Sequence, residues 1–194
     1  MGYVELLDRI NRSEAAALGL AVLAIAVAWL GPLPPSNPKV LAGYAVMIVV
    51  AVLVHELAHR QVARRYGCGA RFVLEPRGFL LTLVSAFLPF KILAPGYVGI
   101  MCWGFAPYGR DDPELSISAA GPLSNIVLGV AARLAAGFAG SYSWLLVNAA
   151  VLNGWLAVFN LLPFPPLDGS KVVRRSPGLW AFMMIAAALV MLGA

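Results

Sequence analysis

Charge is what this 194-residue chain has least of: Asp, Glu, Lys and Arg together make up 12% of it, against 61% hydrophobic residues and a mean hydropathy of +0.83. So few charges cannot cover a water-soluble domain, which excludes that class and points to an integral membrane protein. Cysteine occurs only at 68 and 102. The two make neither a CxxC pair nor a secreted disulfide framework, so they are assigned no role beyond small apolar filler. The net charge of +5 does not indicate nucleic acid, because the basic residues lie in short clusters beside apolar runs. They read as topology signals. The first apolar run is not followed by an A-x-A cleavage site, and Glu5 and Asp8 make the residues before it mixed in sign. An uncleaved first span is expected there, not a signal peptide.

What is present is a series of apolar runs. The reading is a single membrane-embedded domain over 1–194, an all-α polytopic protein with about five transmembrane helices at 15–30, 40–66, 116–138, 144–162 and 179–193. Tyr3 to Arg12 has the pattern of a short interfacial amphipathic helix, and Ser13 is placed to cap the helix that follows. Gly31-Pro32-Leu33-Pro34-Pro35 stops the first span. Between 70 and 104 frequent glycine and proline break the apolar runs into pieces too short to cross as helices. A small membrane-associated β-sheet or re-entrant layer is expected there, with Arg71–Glu75 and Phe79–Val84 as a hairpin around Pro76-Arg77-Gly78 and a third strand from Tyr97 to Trp103. The hairpin is the expected substrate contact: backbone N–H groups of Leu81 and Leu83 would pair with an unwound substrate segment.

The two histidines of the chain stand four residues apart in His55-Glu56-Leu57-Ala58-His59, near the end of the second run. On a helix this spacing sets both imidazoles on one face, where they can hold one metal ion with Glu56 beside it. Neutral imidazoles are zinc ligands, and the glutamate is placed to take a proton from the attacking water. A buried Glu between two imidazoles inside a bilayer is costly unless it faces a cation or a cavity, which weighs against a merely structural pair. A catalytic zinc needs a third protein ligand, and the candidates are carboxylates. Asp111, Asp112 and Glu114 sit at a helix start, where capping accounts for them; Glu75 stays open. Asp168 is favoured because it follows a proline-broken stretch that directly continues a transmembrane run. Asn125, in Ala120-Gly121-Pro122-Leu123-Ser124-Asn125, is either a cross-helix hydrogen bond or a substrate contact.

HELAH in one span and Asn160-Leu161-Leu162-Pro163-Phe164-Pro165-Pro166-Leu167-Asp168-Gly169 after a later one resemble the site-2 protease family of intramembrane zinc metalloproteases. The Ala-Gly-Pro-x-x-Asn run ending at Asn125 is similar to a further feature of that family, and the resemblance covers roughly residues 40 to 175. It implies His55, His59 and Asp168 as ligands of Zn2+, Glu56 as catalytic base, and Asn160 as a helper for substrate or oxyanion. The chain departs from the family pattern at Phe79–Ile92, which is long and apolar where a glycine-rich stretch is expected, and it carries no PDZ-like insertion. The implied activity is hydrolysis of peptide bonds within or near transmembrane segments of a membrane-protein substrate. The expected setting is the lipid bilayer of the cell membrane, with no nucleic acid partner, and by the positive-inside rule the site is reached from the cytoplasmic side. The alternative is a non-proteolytic membrane metal-binding protein or transporter built on the same ligands. The oligomeric state is not legible.

Overall fold

The computed structural model describes residues 9–102 and 112–193. Most of the interfacial helix expected over Tyr3–Arg12, and Trp103, lie outside the described residues. The elements in chain order are α1 (Glu14–Leu30), α2 (Pro38–Arg65), β1 (Cys68–Leu74), α3 (Pro76–Val84), β2 (Gly96–Cys102), α4 (Pro113–Ala136), α5 (Ser143–Asn160), α6 (Asp168–Arg175) and α7 (Pro177–Leu192). Among the described residues, three stretches are long and apolar enough to cross a membrane: α2, α4 and Gly140–Asn160, which contains α5. The apolar helices α1 and α7 are shorter. The mostly helical architecture with a small sheet therefore stands, and three of the five expected spans correspond to helices long enough to cross among the described residues.

The chain falls into two compact units, one made of Met1–Val49 with Ala70–Gly99 and the other of Val50–Gly69 with Ile100–Ala194. In the first, Ser13 accepts from the Ala16 N–H and so caps α1 as expected. Ala17 and Ala21 of α1 pack with Phe72 and Leu74 of β1. Asn11 behaves like a strand residue beside β1: its Oδ1 accepts from Leu74 N and its Nδ2 donates to Leu74 O, while Glu14 accepts from Phe72 N. One edge of the two-stranded sheet is thereby covered by side chains.

The expected hairpin is corrected here. β1 and β2 are strands, but Pro76–Val84 is a helix. Proline is as well suited to the first turn of a helix as to a hairpin turn, Glu75 caps this one by accepting from Gly78 N, and Phe79-Leu80-Leu81-Thr82-Leu83-Val84 is leucine-rich. Leu81 and Leu83 thus have helical backbone and offer no strand edge, so the strand-pairing role expected of them does not hold. Cys68 is disulfide-bonded, not the free filler its sequence context allowed.

The second unit is a helical assembly. Ala119 and Ile126 of α4, Ala157 of α5, Val172 of α6, and Met183, Ala187 and Val190 of α7 share one core with Leu161. Asp112 caps α4 by accepting from Leu115 N, the helix-start role expected of that acidic cluster. Arg175, at the end of α6, pairs with Asp112 and Glu114 and ties α6 to the start of α4.

Candidate metal centre

The second half of α2 and α4 run antiparallel in the second unit, as successive contacts show: Ala51 with Asn125, His55 with Asn125, His59 with Ile117, and Tyr66 with Ser116. His55 and His59 are both buried. Each imidazole has one nitrogen tied to α4. His55 Nδ1 lies 2.6 Å from Asn125 Oδ1, and His59 Nδ1 lies 2.7 Å from the Ile117 carbonyl.

These partners decide the tautomers. A backbone carbonyl only accepts, so His59 Nδ1 carries its proton. Asn125 gives its Nδ2 hydrogens to the Ala51 carbonyl at 3.1 Å and to Asn153 Oδ1 at 2.8 Å, so the atom facing His55 is its oxygen and His55 Nδ1 is also the donor. In the neutral rings both Nε2 atoms are then bare lone pairs, and they stand 3.1 Å apart. Asp168 Oδ2 is 3.1 Å from His59 Nε2 and 3.6 Å from His55 Nε2. With both rings neutral, three acceptors converge with no donor between them, an arrangement that repels itself unless a metal ion or a proton sits at its centre.

The spacing fits zinc. Bonds of about 2.0–2.1 Å in a tetrahedron separate neighbouring donors by roughly 3.3 Å, and the three distances here are 3.1, 3.1 and 3.6 Å. The space is kept open by a missing side chain: a Cβ on Gly121 would lie 2.2 Å from His59 Nε2 and 2.6 Å from His55 Nε2. Beside the ligand group, Glu56 Oε2 is buried and has no hydrogen-bond partner among the described residues. Leaving a carboxylate oxygen so costs several kcal/mol unless a cation or a polar ligand is near.

Asp168 reaches this group from the first turn of α6. Its following glycine is needed for close packing, not for a turn: a Cβ at Gly169 would come within 2.0 Å of the Leu161 carbonyl oxygen. That carbonyl, just past the end of α5, accepts from Trp180 Nε1 at 2.7 Å, which locks the junction between α5, α6 and α7.

The remaining expected residues separate. Glu75 is engaged as the cap of α3. Asn125 is fully buried, with its oxygen and both amide hydrogens bonded inside the protein, so it makes the cross-helix bond and not the substrate contact. Asn160 donates to Leu156 O one turn back on α5, and no contact joins it to the ligand group among the described residues. Asn153 was not distinguishable in sequence from Asn148 and Asn160 on the same helix. All three amides bond the carbonyl four residues back, but Asn153 also meets Asn125.

The fold and site define a helical protein of membrane type with a His-His-Asp group, its imidazoles buried and its carboxylate partly so, able to hold a metal ion. Comparison with curated proteins places it further. The chain is 32% identical to "Putative zinc metalloprotease MJ0611" of Methanocaldococcus jannaschii over 181 residues, covering 90% of the chain and 91% of that protein. It is 29% identical to "Zinc metalloprotease MJ0392" of the same organism over 66% of the chain and 32% of that protein, and 31% identical to "Putative zinc metalloprotease YwhC" of Bacillus subtilis over 75% of each. No family model matches, and no solved structure does. The chain belongs to the zinc metalloprotease family that these proteins represent. Its cofactor is zinc, and His55, His59 and Asp168 form a group fit to bind it.

Proposed function

We propose that the chain is an intramembrane zinc metalloprotease of the site-2 type, cutting membrane-protein substrates within or near their transmembrane segments. The observation that carries this reading is the convergence of two imidazole lone pairs and a carboxylate beside the unpartnered Glu56 Oε2. The helix that bears the two imidazoles and Glu56, α2, is apolar enough to cross a membrane.

His55, His59 and Asp168 are the ligands in this reading. Bound zinc supplies Lewis acidity, which polarises the scissile carbonyl and makes a water acidic enough to ionise near neutral pH. Glu56 accepts the proton of the attacking water and returns it to the leaving amine. Asn160 has one amide hydrogen on Leu156 O and a second left to donate to the developing oxyanion. The substrate helix must unwind to expose a carbonyl, and its freed backbone groups need partners. We place that pairing on β2. Gly69 lies against Met101, Gly99 against Arg71 and Gly96 against Leu74, so the strands are antiparallel, and Glu75 N bonds Pro95 O. Alternation from that pair turns the N–H groups of Gly96, Val98 and Ile100 away from β1. The outer edge of β1 is covered by Asn11 and Glu14, which makes β2 the edge available for strand addition.

The test is a purified sample in liposomes offered three things: a transmembrane helix, a soluble casein-like chain and a metal gradient. Zinc-dependent cleavage of the helix supports the reading. Cleavage of the soluble chain alone, or metal flux without cleavage, refutes it.

A further inference from the structure

The hydrogen bonds behind His55 all point one way. Asn153 Nδ2 donates to the Ala149 carbonyl at 2.8 Å, which leaves its Oδ1 to face Asn125. Asn125 Nδ2 donates to that oxygen and to the Ala51 carbonyl, leaving its own Oδ1 for His55. His55 Nδ1 must then donate, and Nε2 is left bare toward Asp168 and His59. Both amides are buried, at 0% and 4% exposure, so no water can substitute for a missing partner at low cost.

From this we infer that Asn125 and Asn153 are positioning residues that set the tautomer of His55, with polarity fixed by the backbone carbonyls of Ala51 and Ala149. Neither amide can rotate by a half-turn without placing two acceptors face to face, an unfavourable contact that no water relieves in a buried site. His59 does not depend on this relay, because its Nδ1 proton is held by the Ile117 carbonyl alone. The two histidines therefore have separate controls: an amide chain across α4 and α5 for one and a single backbone oxygen for the other. Partners behind a metal-binding imidazole fix its orientation and raise its basicity, and their loss typically weakens metal affinity roughly 10- to 100-fold.

The inference rests on His55 being a zinc ligand, and the test separates the two. With two histidines in the chain, nitrogen-15 labelling of histidine gives one signal set for each ring. In metal-free protein at alkaline pH, both rings should be protonated at Nδ1. Asn125→Leu and Asn153→Leu should move His55 toward the Nε2-protonated form, leave His59 unchanged, and weaken zinc binding in competition titrations. The loss should be roughly 10- to 100-fold for Asn125→Leu and smaller for Asn153→Leu. If Asn125→Leu does not fold, Asn153→Leu, one bond further from the ring, carries the same prediction. Parental zinc affinity with an unmoved His55 signal overturns the inference, as does an equal shift of both histidines, which means general loosening. Unchanged zinc affinity in His55→Ala instead refutes the ligand assignment.

Discussion

Gly121 of α4 stands so close to His59 of α2 that a methyl group on the glycine would lie 2.2 Å from the imidazole Nε2. The space left by the absent side chain borders the point where the three ligand atoms converge. Gly121→Ala is good for helix propensity, by about 1 kcal/mol, yet it should abolish zinc binding while the protein still folds. Zinc content by atomic emission, read beside helical content by circular dichroism, checks this. A variant that keeps a full complement of zinc means the metal lies elsewhere.

Asp168 and Glu75 were both open as the third ligand, and they now have different work. Asp168→Ala removes the oxygen at 3.1 Å from His59 Nε2 and should lower zinc affinity by at least 100-fold. Glu75→Ala removes the cap of α3, costing about 0.5–2 kcal/mol of stability with zinc affinity intact. Metal titration and thermal unfolding of both variants should give opposite patterns.

Strand addition on β2 predicts a particular tolerance of proline. Proline survives in an edge strand when its missing N–H would have faced outward. Val98→Pro should therefore fold and bind zinc, but cut a transmembrane substrate at least tenfold more slowly, because one donor to the substrate is gone. Parental cleavage by this variant removes the strand-addition reading.

The orientation follows from charge. Arg9 and Arg12, the Arg64 to Arg77 group, and Lys171, Arg174 and Arg175 fall on one side of the expected spans, with Lys39 nearly alone opposite. By the positive-inside rule we propose that this basic side, and the entrance to the zinc, face the cytoplasm. In intact cells an impermeant thiol reagent should label a cysteine introduced at Ser141 and spare one at Ser176; the reverse pattern inverts the topology.

The helices were legible because long apolar runs bounded by Ser13, the proline cluster after Leu30 and the arginines after Ala63 leave little choice of structure. Expected and observed ends of α2 and α4 differ by a few residues. His55 and His59 were legible through their fourfold spacing, and Asp168 through the broken backbone before it. The failure at Phe79–Val84 has a physical cause: Pro-Arg-Gly suits a hairpin turn and a helix start equally, and only the partner of Glu75 decides between them. Asn125 and Asn153 were visible as polar residues in apolar helices, but pairing them requires knowing which faces of α4 and α5 meet. Gly121 is visible in the sequence only as a small residue in an apolar run, and nothing there says that what approaches it is an imidazole.

The central claim is that Glu56 acts on water beside a zinc it does not ligate. Glu56→Gln keeps the size of the side chain and removes the base. The decisive measurement is zinc per protein and cleavage of a transmembrane substrate on the same purified Glu56→Gln sample. The account predicts one zinc per chain, as in the parent, with cleavage lowered by roughly 10²- to 10⁴-fold. Loss of the zinc, or turnover at the parental rate, contradicts it.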